Sequence, residues 1–244
     1  MRPFHPAYII YVLPKLLSAL WVTFAMVAGT LFFGGLLGFL LAAGKIRKGR
    51  IAKTISNIYI YAVRCVPSIV MLFIVYYGLP ELLLTFGINI NRVGTGFFVI
   101  VTFSVLFAAN IAEVFRAAYE AVDRGQREAA LSIGLSEWQA FRRIILPQCV
   151  VVAIPNFTNA LINLMKEGAL AYTIGLIDIM GKGQLLIGKN QGSYGLEIYL
   201  ALAGIYWVIT ILVEKFSAGV EITLSRGRKA SNVNIGGRRR KKCS

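Results

Sequence analysis

Five stretches of this chain run for about a membrane's thickness with almost no charge. Leu16–Gly44, Val93–Ala112 and Ile144–Met165 carry none, and Ile198–Val213 is uncharged between Glu197 and Glu214. Thr54–Pro80 is apolar except for Arg64. A helix rises about 1.5 Å per residue, so roughly 20 apolar residues cross about 30 Å of hydrocarbon. A helix packed on a soluble core would show a charged face at helical spacing, and these stretches show none. The pattern predicts an all-α, polytopic membrane protein with five transmembrane helices, the last completed by its flanks.

Composition agrees. Hydrophobic residues make up 57% and charged residues 15%, against about a quarter charged in a soluble domain. Mean hydropathy is +0.68. Such a chain is neither disordered nor an ordinary soluble enzyme, because one small core cannot hide that much apolar surface.

The remaining charge is lopsided, with 26 Lys+Arg against 11 Asp+Glu and a net +15. Lys45, Arg47, Lys48, Arg50, Lys53 and Arg64 follow the first stretch, and Arg116, Arg124, Arg127, Arg142 and Arg143 follow the third. More cations lie from Lys215 onward, ending in Arg238-Arg239-Arg240-Lys241-Lys242. The other face receives Arg2, Lys15, Arg92, Lys182 and Lys189, with Lys166 assigned to neither. The positive-inside bias puts the N-terminus outside and the C-terminus in the cytoplasm, as an odd number of spans requires. Cations divided in this way form no phosphate-tracking groove, so nucleic acid is not an expected partner.

The first stretch is too long for the apolar region of a secretory signal and a basic cluster follows it, so it is expected to stay in the membrane. Its Gly34-x-x-x-Gly38 spacing would let another helix approach closely. Cys65, Cys149 and Cys243 suggest no disulfide framework. His5 is the single histidine, so neither a histidine metal site nor a Ser-His triad is expected. No catalytic residue and no metal ligand is assigned, and the chain reads as a non-enzyme.

The segment between the third and fourth stretches is long and patterned. Glu113–Asp123 would extend helix three into water, with Gly125 as its C-terminal cap. Glu128-Ala129-Ala130-Leu131-Ser132-Ile133 would form a short helix stopped by Gly134 in the left-handed conformation, with Leu135 folding back on it. Ser136 and Gln139 have capping-box spacing for a second helix, which carries Trp138, Phe141, Ile144 and Ile145 on its apolar face. Two short helices about a glycine turn would make a stiff cytoplasmic knob over residues 124–147.

That segment resembles a known family. Glu128-Ala129-Ala130, then Gly134, then Ile144-x-Leu146-Pro147 matches the "EAA" loop of ATP-binding-cassette (ABC) importer permeases at each fixed position and spacing. Arg64-Cys65-Val66-Pro67, Met71-Leu72-Phe73 and Tyr77-Gly78-Leu79-Pro80 resemble the Arg-Gly-Thr-Pro, Gln-Leu-Phe and Tyr-Phe-Gly-Leu-Pro signature of polar amino-acid uptake permeases. Ala109–Arg116 is similar to that family's entry into the loop, and Gly175–Gly181 to its cystine-type members. The resemblance extends from helix one to about Glu221.

The resemblance implies a type I ABC importer fold in a prokaryotic plasma membrane. It implies pairing with a second permease subunit, either a copy or a close relative. Two ATPase subunits would dock on the cytoplasmic face, and an extracytoplasmic binding protein would deliver an amino acid. ATP and Mg²⁺ would belong to the ATPase subunits, and this chain would bind no cofactor. The coupling residues are then Glu128, Ala129, Ala130, Gly134 and Leu135, with the alanines making close contact, Gly134 the turn and Glu128 a polar tether. The expected organisation is an extracytoplasmic N-terminus over 1–15, a permease domain over 16–222 and a disordered basic tail over 223–244.

Helix four has a polar interior. Asn159, Asn163 and Lys166 share one helical face, which Asn156 extends, and Glu167-Gly168 follow. Ionisable groups within the membrane default to a substrate path, and a Lys-Glu pair suits a zwitterion. The expected pathway is Asn159, Asn163, Lys166, Glu167 and Gly168. Lys166-Glu167-Gly168-Ala169-Leu170 departs from the family's Lys-Asp-Thr-Ser-Leu, so its hydroxyl contacts do not carry over. Gly181–Asn190 reads as a short external helix edged by glycines, a landing surface for the binding protein.

Two other functions fit parts of the chain. A stand-alone channel or secondary transporter would have an awkward five helices without an internal repeat. A scaffold binding anionic lipid through its basic tail would not need the patterned loop.

Overall fold

Uninterrupted apolar sequence favours helix in a membrane because only a helix satisfies its own backbone there. The computed structural model describes residues 4–46 and 49–239, with side chains through 225. Arg47, Lys48, Arg240, Lys241, Lys242 and Cys243 lie outside the described residues. The helices are α1 Pro6–Leu17, α2 Leu20–Ile46, α3 Arg50–Arg64, α4 Ser68–Phe73, α5 Leu79–Leu84, α6 Thr95–Glu120, α7 Arg124–Ser132, α8 Glu137–Ala140, α9 Leu146–Gly168, α10 Ile179–Lys189 and α11 Gly195–Arg239. π-helical turns over Ile74–Gly78 and Phe141–Ile145 join α4 to α5 and α8 to α9, and a 3₁₀ turn over Ala169–Ile174 continues α9.

Among the described residues, four spans are long and apolar enough to cross a membrane, or five if one bent pair counts as a span. That pair is the second span expected over Thr54–Pro80, and it is bent. Arg50–Arg64 and Ser68–Leu84 meet at 103°. Pro67 lacks an N–H, its ring clashes with the carbonyl four residues earlier, and it disfavours helical geometry at Val66. The helix therefore caps at Cys65 and restarts at Ser68.

The chain divides into two compact units, residues 1–116 with 159–210, and residues 117–158 with 211–244. In the first, α6 is the central helix. Buried residues make up 61% of its apolar window, against 22–33% in the other three long spans. Val99, Phe103, Ala108, Ala109 and Ile111 are fully enclosed or nearly so. The Gly34-x-x-x-Gly38 expectation holds: a Cβ at Gly34 would lie 2.9 Å from the Ser104 carbonyl oxygen, and one at Gly38 3.0 Å from that of Ala108. Two backbones thus meet where any larger side chain would part them. The opposite side of α2 exposes Trp21, Phe24, Phe32, Phe33, Leu36 and Phe39, a surface suited to lipid.

The second unit is organised around Ala118, Val122, Ile145 and Cys149, with Tyr119, Phe141, Val152 and Ala153 packed against them. The hydroxyls of Thr158 and Ser217 are hydrogen-bonded here, joining α9 to α11. Gly125 does not cap helix three. Asp123 instead caps α7 by accepting the Gly125 N–H at 2.6 Å, because a carboxylate satisfies a first-turn amide that glycine cannot. The helical backbone of α11 runs to Arg239.

Candidate functional site: a capped hairpin and a polar helix face

Local signals alone build the hairpin of α7 and α8. Gly134 has φ +86°, a conformation costly for other L-residues. Its N–H donates to the Leu131 carbonyl at 3.0 Å, and the Leu135 N–H donates to that of Ala130 at 3.2 Å. These are the paired bonds of a Schellman ending. The next helix starts at once: Ser136 N–H donates to Gln139 Oε1 at 2.9 Å, and Gln139 N–H to Ser136 Oγ at 3.3 Å, completing the capping box. Arg127 joins the two helices, its Nε 3.0 Å from Glu137 Oε2 and its Nη2 bonded to Oε1.

This geometry separates residues that the sequence grouped together. Glu128, Ala129 and Gly134 are exposed and Leu135 is half-buried. Ala130 is 2% exposed, inside the hairpin, where its small side chain is packed. Ala129 remains on the surface. Trp138, stacked on Phe141 with ring centroids 5.9 Å apart, is 66% exposed, and Ile133 at the tip is 77% exposed. Two large apolar side chains on a rigid, polar hairpin suit burial by a partner.

In α9, Asn159, Asn163 and Lys166 are exposed, as is Asn156. They form the polar face expected from their spacing. Glu167 and Gly168 are not on it. Ser68 Oγ, at the restart after the Pro67 bend, donates to Glu167 Oε2 at 2.9 Å. Gly168 is buried facing Met26. The adjacent Lys and Glu therefore do not converge on one ligand, because successive helical positions point about 100° apart.

Three further features needed tertiary structure to appear. Glu113 bonds to Lys45, at the end of α2, and accepts Arg116 Nε at 2.8 Å, tying two helix ends together. Glu197 is buried and accepts the His5 N–H at 2.9 Å. Asp178 is fully buried and caps α10, accepting the Gly181 N–H at 2.8 Å. Its other oxygen has no hydrogen bond among the described residues, and neither has the buried Tyr206 hydroxyl. Burial pushes the Asp178 carboxyl up to about 6, against the pull of the backbone amides of Gly181 and Met180. An Asp three residues before Gly181 was the available sequence signal. Among the described residues, no three His, Cys, Asp or Glu side chains gather as a metal site would need.

The family model for the "Binding-protein-dependent transport system inner membrane component" matches residues 34–221, which include the bent pair, the capped hairpin and the polar face. The chain belongs to this family. This permease is 41% identical over 203 residues to the L-cystine transport system permease protein TcyL of Bacillus subtilis (strain 168), covering 83% of this chain and 84% of that protein. It is 35% identical over 219 residues to the probable amino-acid ABC transporter permease protein PatM of Vibrio harveyi, covering 90% and 96%. A solved structure of an amino acid ABC transporter with histidines superposes with TM-score 0.78 at 27% identity, covering 91% of this chain and all of that one. The inward-facing MetNI methionine ABC transporter, at 20% identity, TM-score 0.69 and coverage of 86% and 96%, shares the fold. The all-α type I importer architecture follows, and the chain is a membrane-embedded permease subunit of an ABC importer rather than a stand-alone channel.

Proposed function

We propose that this permease forms half of a translocation path for an amino acid and transmits ATP-driven motion to it through the α7–α8 hairpin. The observation that carries the reading is that hairpin: doubly capped, braced by Arg127–Glu137, and presenting Glu128, Ala129, Ile133 and Trp138 outward. A stiff element can convert closure of a docked ATPase into helix rocking, which a flexible loop would absorb. TcyL and PatM, named for cystine and amino-acid transport, support the substrate class. The exposed Asn159–Asn163–Lys166 face supports the path, since amides and an ammonium suit a carboxylate-bearing solute.

In this reading the chain itself is non-catalytic. Two ATPase subunits bind ATP and Mg²⁺, a second permease subunit completes the path, and an extracytoplasmic binding protein delivers the solute. The positive-inside bias supports an N-terminus outside and a C-terminus in the cytoplasm of a prokaryotic plasma membrane. The test is ATP hydrolysis by the reconstituted complex with each candidate amino acid on its binding protein. Stimulation by one amino acid supports the reading. A rate indifferent to every amino acid, with the complex intact, would refute it.

A further inference from the structure

We propose that a basic pocket between α1 and the α10–α11 turn binds the phosphate headgroup of an anionic phospholipid. The cavity, about 740 Å³, is lined by Tyr8, Tyr11, Lys15, Lys182, Lys189 and Tyr194 among others. That volume lies within the range of pockets for small organic ligands, roughly 300–1,000 Å³. Three lysines line it and no acidic residue does. Among the described residues, none of the three lysines forms an ion pair. Glu197, the acid in the first turn of α11, accepts the backbone N–H of His5.

The walls are held in place. Tyr8 and Tyr194 stack with ring centroids 3.8 Å apart. Asn190 Nδ2 donates to Tyr8 Oη at 2.9 Å and to the Leu186 carbonyl at 2.8 Å. Because Tyr8 Oη accepts that bond, its own hydrogen is available to an anionic oxygen. Lys15 Nζ sits 3.6 Å from the centre of the Tyr11 ring, which keeps its charge at the pocket. Lysines and tyrosines lining one cavity supply the chemistry of a phosphate site.

The surroundings select the source of that phosphate. Leu185, three residues after Lys182 and four before Lys189 on α10, is exposed, as is Leu196 of α11, two residues after Tyr194. A lipid places its headgroup on the lysines and its acyl chains along these side chains, whereas inorganic phosphate would leave them uncovered. Tyrosines at such a boundary fit the aromatic belt of a membrane interface.

Native mass spectrometry of the full chain, released from detergent with phosphatidylglycerol or phosphatidylcholine, tests the site. Phosphatidylglycerol should be retained over phosphatidylcholine. K15Q/K182Q should weaken that retention on the order of twentyfold, from about fivefold per cation removed. K15R/K182R should keep it, and the exposed K189Q supplies a single-site variant, with about fivefold loss, should the double variant fold poorly. Millimolar inorganic phosphate should leave lipid occupancy unchanged. Equal retention by K15Q/K182Q and the parent, or by K189Q and the parent if only K189Q folds, would overturn the proposal, as would full displacement by inorganic phosphate or equal retention of phosphatidylcholine.

Discussion

Ser68 Oγ donates to Glu167 Oε2 at 2.9 Å, linking the restart of a broken span to the end of α9. Helical spacing already points Glu167 away from its neighbour Lys166, and the bond holds it there. The ammonium alone therefore belongs to the exposed polar face, and the carboxylate has a structural partner.

This division predicts unequal effects. Lys166→Met should reduce amino-acid uptake about ten- to hundredfold, the loss of one charge-assisted hydrogen bond to the solute. Glu167→Gln should lower uptake by less than about threefold, because an amide oxygen still accepts from Ser68. Transport by proteoliposomes at matched protein incorporation measures both. Equal, severe losses in the two variants would return Glu167 to the path.

Gly134 is the single point on which the hairpin's geometry turns. Gly134→Ala should strain it by about 1–2 kcal/mol at φ +86°, and Gly134→Asn by less, since Asn tolerates that region. Both should leave the membrane helices folded, because the hairpin's bonds are local. The expected result is normal detergent melting with ATP hydrolysis poorly matched to transport, worse for Ala than for Asn. Full coupling in the Ala variant would show that the turn's exact shape is unimportant.

The glycines of α2 provide an internally controlled pair. A Cβ at Gly38 would press on the backbone of Ala108, whereas one at Gly35 would meet nothing within 4 Å. Gly38→Val should destabilise the α2–α6 contact by about 1–3 kcal/mol through overpacking, and Gly35→Ala should stay within about 0.5 kcal/mol of the parent. Thermal melting of purified protein separates them. Indistinguishable melting would mean that α2 and α6 part without penalty.

What the sequence disclosed depended on range. The Leu135–Ala130 bond, the Ser136–Gln139 box and the Gly34–Gly38 spacing are each written within a few residues, so spacing was enough to find them. Ser68–Glu167 and Lys45–Glu113 join residues far apart along the chain, and nothing near either partner announces the other. The 103° bend had a local cause in Pro67, within an apolar run that reads as one span. Nothing local marked Ala130 as buried and Ala129 as exposed, because alanine's small side chain suits either place. Asp178 carried no local sign of its burial: the neighbouring Ile179 N–H donates to Thr23 Oγ1 and Tyr206 lies near enough to feel its charge, and both partners are distant in sequence.

Asp178 makes stability depend on pH. Its carboxyl is raised from 3.8 to about 6 by burial. Between those values the folded chain holds a proton that the unfolded chain has released. Rising pH therefore removes stability across that window, and the loss is complete once Asp178 is ionised in both states. The full effect is roughly 3 kcal/mol, a two-unit shift at about 1.4 kcal/mol per unit. Asp178→Asn keeps an oxygen for the Gly181 N–H but carries no charge. It should melt several degrees above the parent at pH 7.5, on the order of 5 °C, and converge with it near pH 4. Asp178→Ala gives up the cap too, at about 1 kcal/mol, and should fall below Asp178→Asn at every pH. Scanning fluorimetry of the three proteins between pH 4 and 7.5 supplies the measurement. A parent that melts parallel to Asp178→Asn across the whole range would mean the buried carboxylate is not strained by its charge.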